Sequence, residues 1–268
     1  MVTPPQPDLF DTHVHLDGLA ASGQSLEDVM ARAQAAGVRR MLAVGASIES
    51  SRFAAAAAAR FPSVVFASAG QDRDCAANPA PLDELRAAGS ARQIVAVGEI
   101  GLDFHYAPET AAAQRRLFAS QLDLAVELGL PVLVHSREAD ADTLALLRDH
   151  ARRWHGDPGH IGVLHCFTGS AAFADQLLAL GFLISFSGIA TFRNADALRA
   201  VAAAVPDERL LIETDSPYLA PVPHRGRPNE PALLPAVAAV LASVRGCDAY
   251  AIAALTTRNA ERLFGLGK

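Results

Sequence analysis

A chain of 268 residues, 51% of them apolar, can bury a substantial core, which excludes an intrinsically disordered protein. The formal charge of −6 argues against broad electrostatic adhesion to nucleic acid or to a membrane surface, but leaves room for a phosphate-bearing substrate held by metals and a few arginines. Cys75, Cys166 and Cys247 are widely spaced with no CxxC pair, and read as reduced core thiols of a cytosolic protein.

No basic segment followed by an apolar stretch occupies Met1 to Phe10, so no signal peptide is expected and the reading is cytoplasmic, with no membrane partner. Short apolar runs then alternate with amphipathic, alanine-rich ones. The predicted strands are Phe10–Leu16, Arg39–Ala46, Val64–Gly70, Ile94–Asp103, Pro131–Ser136, Gly162–Phe167, Leu183–Ile189 and Leu210–Asp215. Between them run predicted helices Ser25–Ala36, Glu49–Arg60, Glu109–Leu128, Glu138–Trp154, Ala171–Leu180 and Ala195–Ala204, with Gly37, Gly129 and Gly181 as C-caps. Pro231–Val244 and Asp248–Phe264 read as a last barrel helix and a closing one. Eight strands alternating with helices imply a parallel sheet, either a TIM-type (β/α)8 barrel or an open doubly wound sheet. No GxGxxG or GxxxxGK[ST] turn supports a dinucleotide or P-loop site. A barrel typically needs about 250 residues, so residues 1–268 are expected to form one such domain.

The chemistry-bearing residues fall at predicted strand ends. His13 and His15 stand two apart on the first strand, so both imidazoles face the same way. Glu99 lies on the fourth strand, His135 ends the fifth, His165 the sixth and Asp215 the eighth. Polar groups ending apolar strands are costly to bury unless paired, hydrogen-bonded or metal-bound, and barrel enzymes place their chemistry on this C-terminal face. Six ligands are too many for one catalytic zinc, which usually keeps three protein ligands. They suit two divalent ions: His13, His15 and Asp215 on one, His135 and His165 on the other, and Glu99 on both. Mixed nitrogen and oxygen ligands favour zinc, manganese, iron or cobalt, with magnesium also compatible. The only lysine is Lys268, so no internal carboxylated lysine is available as the bridge and Glu99 must serve.

The segments Asp11-Thr12-His13-Val14-His15-Leu16-Asp17, Gly98-Glu99-Ile100-Gly101-Leu102-Asp103, Pro131 to Arg137, His165-Cys166-Phe167-Thr168-Gly169, Glu213 to Pro221 and Arg225 to Pro231 together resemble the TatD family of metal-dependent deoxyribonucleases. The resemblance runs from about residue 9 to residue 264. It implies a TIM-type barrel, the six metal ligands named above, and 3′→5′ exonuclease action on single-stranded DNA ends, with RNA also open, through a water activated by two metals. One departure is visible: where the family commonly shows Gly-x-His-Pro, this chain has Gly70-Gln71-Asp72-Arg73, which bears on specificity more than on reaction class.

Asp215 can act as ligand and proton acceptor or as ligand alone, and Glu99 and Asp215 are the catalytic candidates. Glu213 reads as a support for the ligands, and Asp103 either as an orienting group or as a turn carboxylate. Arg137, Arg225 and Arg227 lie where guanidiniums can grip phosphate oxygens. Phe167 and Tyr218 are candidates to stack on an unpaired base. His105 and His224 are placed near the mouth, whereas His150, His155 and His160 are expected to be solvated. Two other readings use the same residues: a binuclear hydrolase of esters or amides, acting on a small molecule or on aminoacyl-tRNA, and a binding protein with a structural metal site.

Overall fold

The computed structural model describes residues 8–266; the stretch before Asp8 and the lone Lys268 lie outside them. Eight parallel strands follow one another around a barrel in chain order. They are β1 (Leu9–Val14), β2 (Val38–Ala43), β3 (Val65–Ala69), β4 (Ile94–Asp103), β5 (Val132–Arg137), β6 (Gly162–Leu164), β7 (Leu183–Phe186) and β8 (Leu210–Ile212). The ring closes just past β8, where Val14 bridges Ser216 in parallel, His15 N–H donates to the Ser216 carbonyl at 2.8 Å and Asp215 N–H donates to the His13 carbonyl at 3.0 Å. The barrel alternative is therefore the correct one, and the open sheet is not.

The helices are α1 (Leu16–Ala21), α2 (Leu26–Ala35), α3 (Ile48–Arg60), α4 (Leu82–Gly89), α5 (Ala111–Leu128), α6 (Asp140–Arg153), α7 (Ala171–Ala179), α8 (Asp196–Ala204), α9 (Leu234–Arg245) and α10 (Ala249–Leu263). Local signals start and stop them. Ser25 caps α2 through Asp28 N–H, Ser47 and Ser50 form a reciprocal capping pair at α3, and Gly129 ends α5 in the left-handed conformation. No single helix among the described residues is long and apolar enough to cross a membrane.

Two apolar layers result. The outer one packs strand residues such as Val65, Val97 and Val134 beneath the helices. The inner one fills the barrel with Phe10, Leu42, Ala96, Leu133, Val163, Leu183 and Leu211, and Ala260, Leu263 and Phe264 at the end of α10 plug its floor. Phe10 meets Phe66 and Phe264 with ring centroids 5.9 Å apart in each case.

All strands but β4 and β5 are shorter than their apolar runs suggested, and three of them bear on the site. β1 stops at Val14, β6 at Leu164 and β8 at Ile212, so His15, His165 and Asp215 sit on the turns that follow rather than on the strands themselves. Cys166 (φ 44°) and Asp215 (φ 57°) are left-handed there, which ends the extended backbone. Of the three thiols, Cys247 is exposed rather than in the core, and Cys75 and Cys166 are half-buried. His150, expected in solvent, is fully buried: it continues the inward stripe of α6 formed by Thr143, Leu144 and Leu147, and packs beside Trp154 and Phe182.

Candidate metal centre

Above the floor, the same strand faces turn polar. Leu133, Val163 and Leu211 belong to the barrel filling, and two residues further on the chain places His135, His165 and Glu213. β4 reaches the mouth because two glycines let its neighbours close in. A Cβ on Gly70 would lie 2.7 Å from the Glu99 carbonyl oxygen, and one on Gly101, at φ 143°, would lie 2.0 Å from the His135 carbonyl oxygen. Substituting either glycine displaces a ligand-bearing segment.

Glu99 lies at the centre with its two oxygens facing opposite ways. Oε2 is 3.4 Å from His13 Nε2 and 3.6 Å from His15 Nε2, while Oε1 is 3.2 Å from His165 Nε2 and 3.5 Å from His135 Nδ1. Asp215 completes the first group, its Oδ1 being 3.5 Å from His15 Nε2 and 3.9 Å from His13 Nε2. His135 Nδ1 and His165 Nε2 are 3.3 Å apart in the second. The His13 and His165 rings stack at 3.8 Å and hold the two halves together. All six residues singled out in the sequence thus converge, in two groups that share Glu99.

The spacing fits metal ions. Donors bound at about 2.1 Å around a tetrahedral centre stand roughly 3.4 Å from one another, and most of the nitrogen–oxygen separations here fall near that value. Both ring nitrogens of His13 are buried without a hydrogen-bond partner, and a cation beside Nε2, the one that faces Glu99 and Asp215, removes the cost at that nitrogen. His13, His15 and Asp215 offer ligand atoms within 4.8 Å of one another, and so do Glu99, His135 and His165.

The surrounding residues fix the ligands. Glu213, fully buried, accepts from the Cys166 N–H at 2.6 Å and faces His165 Nδ1 at 3.3 Å, leaving Nε2 of that ring toward Glu99. Asp103 performs the equivalent task for His135, with Oδ2 3.1 Å from Nε2 while Oδ1 accepts from the His105 and Tyr106 N–H groups. Asp103 is thus an orienting group and a turn carboxylate at once. Asp11, buried between the barrel ends, accepts from the Thr214 N–H at 2.9 Å and ties β1 to the turn carrying Asp215.

Protonation follows from these contacts. Burial alone pushes the Glu99 carboxyl up, but the His165 and His13 imidazoles outweigh it and hold Glu99 well below its ordinary range. Asp215, likewise buried, is held down by His15 and His13. Burial raises Asp103 too, yet His135 and the Tyr106 N–H bring it down to about 2. Burial, aided by the neighbouring His165, pushes the His13 imidazole down. Glu99, Asp215 and His13 are thus in the forms a cation needs. Against burial, Asp215 and Glu99 raise His15, and Glu99 and Glu213 raise His165, so that these two imidazoles must release a proton when a cation binds.

The remaining candidates are dispersed. Arg137 ends β5 half-buried over the Tyr106 ring at 4.6 Å. Arg225 and Arg227 are exposed in the loop after β8; Arg225 lies 3.8 Å from the Phe192 centroid. Buried Asn229 pins that loop by donating to the Thr214 and Tyr218 carbonyls. Phe167 is corrected: only 4% exposed, it packs on Phe173 and Phe186 inside the outer apolar layer and offers no free ring face. Tyr218 is 58% exposed, with its ring edge-on to His15 at 5.7 Å. His105 pairs with Glu138 at 2.7 Å on the rim, and His224 is half-buried in the loop after β8. Sequence reasoning missed Arg73 and Tyr106. Their only signal was position, each in a loop immediately after a predicted strand.

The chain is similar to known proteins over nearly its whole length. The family model of TatD related DNases matches residues 10–265. The chain is 45% identical over 258 residues to the uncharacterized metal-dependent hydrolase YcfH of Escherichia coli K12, covering 96% of this chain and 95% of that one. It is 37% identical over 264 residues to the 3′-5′ ssDNA/RNA exonuclease TatD of Klebsiella pneumoniae, covering 96% and 98%. The crystal structure of YJJV, a TatD homolog from Escherichia coli K12, superposes with a TM-score of 0.88 at 32% identity over 98% of this chain and all of that one.

Proposed function

The chain belongs to the TatD-related DNase family and is a metal-dependent hydrolase, and from that premise we propose that it removes nucleotides from the 3′ end of single-stranded DNA, with RNA also accepted. The observation that carries this reading is the divided cage around Glu99, open at the C-terminal mouth of the barrel. His13, His15 and Asp215 would hold one divalent ion, His135 and His165 the other, and Glu99 would contribute to both. Zinc, manganese and magnesium all suit such a donor set. Two such ions supply an acidified water and charge neutralisation at a phosphoryl oxygen.

The protein's own groups do the rest. Asp215 keeps 12% of its side chain accessible, so the carboxylate that completes the first group can also take the proton of an attacking water. Glu213 and Asp103 keep His165 and His135 aimed, so that neither ring must reorganise when substrate arrives. Arg137 at the end of β5 and Arg225 and Arg227 in the loop after β8 are the groups that would draw a phosphate toward the cage. An unpaired terminal base leaves its phosphodiester free to enter, whereas a base in a duplex must first unstack.

The test uses metal-reconstituted protein with a 3′-extended strand, its fully paired counterpart and a 3′-blocked strand. Release of mononucleotides from the first, with little from the other two, is the expected outcome. Equal cleavage of all three, or no cleavage alongside robust hydrolysis of carboxylic esters, would remove the protein from the nuclease class.

A further inference from the structure

Beside the metal centre, on the rim between β3 and β5, two guanidinium groups share one aromatic ring. The carbon of the Arg137 guanidinium lies 4.6 Å from the Tyr106 centroid and that of Arg73 lies 5.9 Å from it. Tyr106 itself is 65% exposed, so it is a surface shelf and not a core residue. Arg73 opens the short 3-10 turn Arg73–Cys75 that follows β3. Asp72, where the chain departs from the family pattern, shapes that turn by accepting from the Asp74 N–H at 2.9 Å, and its own N–H is tied to the Ala46 carbonyl.

A guanidinium carries five N–H donors in a planar fork. Among the described residues, neither the Arg73 nor the Arg137 side chain donates a hydrogen bond, and the buried Arg73 Nε has no partner. The carboxylates nearest to Arg73 are too far for a hydrogen bond, Asp103 at 3.6 Å and Asp74 at 3.8 Å. Asp103 is moreover engaged by His135 and by two backbone N–H groups. Arg73 therefore stands one side chain removed from the metal ligand His135, aimed by its turn and ordered by the ring, with its donors unused.

We propose that Arg73 and Arg137, laid against Tyr106, form an anion subsite that holds the phosphodiester one nucleotide away from the one being cleaved. The nature of the ligand rests on the exonuclease reading above; the existence of an oxyanion site beside the metals does not. Arg73 is then a specificity-determining residue, selecting substrates that carry a second backbone charge at that distance.

The experiment reads binding, not turnover. A trithymidylate labelled with fluorescein through an uncharged linker carries a non-cleavable methylene phosphonate as its terminal linkage. Its other linkage is either an ordinary phosphodiester or a neutral methylphosphonate. Fluorescence anisotropy with the metal-loaded protein gives the ratio of the two dissociation constants. The wild type is expected to prefer the charged strand by about tenfold, as for one charge-assisted contact. Arg73→Met keeps the stem and removes the fork, so its ratio should fall to about one. A wild type without preference, or an Arg73→Met protein with the wild-type ratio, overturns the subsite. Should Arg73→Met fail to fold, Arg73→Lys decides: about threefold supports the proposal, and an undiminished ratio overturns it. Cleavage of an ordinary trithymidylate is followed separately. Preference without cleavage keeps the subsite and removes the exonuclease reading; cleavage without preference does the reverse; and a trinucleotide that does not bind overturns both.

Discussion

On β5, Leu133 lies in the apolar filling of the barrel and His135, two residues on, lies in the metal cage. The same step separates Val163 from His165. Floor and mouth are therefore built by the same strand faces, one a few ångströms above the other. At the floor every large side chain meets another across close-packed surface, Phe10 against Phe66 and Phe264. At the mouth His15, His135 and Asp215 stay partly accessible, His13 has no hydrogen-bond partner, and in the group of His13, His15 and Asp215 the carboxylates meet imidazoles at separations too long for good hydrogen bonds. The floor is complete as a protein; the mouth is completed by a cation. Stability and function should thus separate by height along a strand, and mutations can test whether they do.

The largest effect is expected at the centre of the mouth. Glu99→Ala should lose both ions, against about two per chain in the wild type, and with them all turnover, while circular dichroism shows the barrel intact. His15→Ala should weaken one site only. Elemental analysis of the three proteins checks this, and a Glu99→Ala protein still holding two ions would break the division. At the floor the reverse holds. Phe10→Ala should cost about 3–5 kcal/mol of unfolding free energy, the usual penalty for emptying a buried aromatic site, with metal stoichiometry unchanged in the folded fraction. Denaturant titration and metal analysis on one sample read both.

A buried histidine away from the cage sharpens the contrast. Burial, with a contribution from Arg153, pushes His150 down to about 4 from 6.5, whereas His165, also buried, is raised well above its ordinary value by Glu99 and Glu213. Because the unfolded chain binds the His150 proton more readily, its neutral form contributes stability that is fully present above about pH 6.5 and is lost as pH falls toward 4. The loss is about 3 kcal/mol at roughly 1.4 kcal/mol per pH unit. His150→Phe should flatten the stability profile across that window. An unaltered profile would show that this imidazole does not titrate with folding.

Smaller effects belong to the rim of the cage. Asp215→Asn should fold normally and lose at least about a hundredfold in turnover, since the amide can still offer an oxygen but accepts no proton. Full activity at an unchanged melting temperature would strike Asp215 from both roles. Arg227→Ala should raise KM modestly, keep metal content, and reduce the salt dependence of binding by about 0.7 in slope, the share of one phosphate on a single strand. A slope that does not move would place Arg227 outside the substrate path.

Much of this was readable before any coordinates. β4 runs over Ile94–Asp103 as its apolar pattern predicts, and the six residues of the cage stand out as polar groups within or at the end of apolar runs. What stayed hidden were single-residue and tertiary effects. No pattern marks the left-handed turns at Cys166 and Asp215 that shorten β6 and β8. The helices α1 and α4 went unseen, one having six residues with Gly18 among them and the other eight, too short for a periodicity to declare itself. Phe167 follows a ligand in sequence, yet its ring turns back into the core against Phe173. His150 was within reach: it repeats the three-residue step of Leu144 and Leu147 on α6, and helical spacing would have placed it inward.

The plug beneath the barrel has a consequence for how the molecule is made. Phe10 leaves the ribosome before its cover, Phe264, which follows roughly 250 residues later, and at about 5–20 residues per second that is a delay on the order of tens of seconds. Throughout that interval β1 also lacks its closing neighbour, since the Val14–Ser216 bridge needs the segment past β8. A nascent chain therefore carries an uncovered aromatic floor and an unpaired parallel strand edge until the segment past β8 and the end of α10 have both been made, and that half-built ring is open to association with other chains for as long.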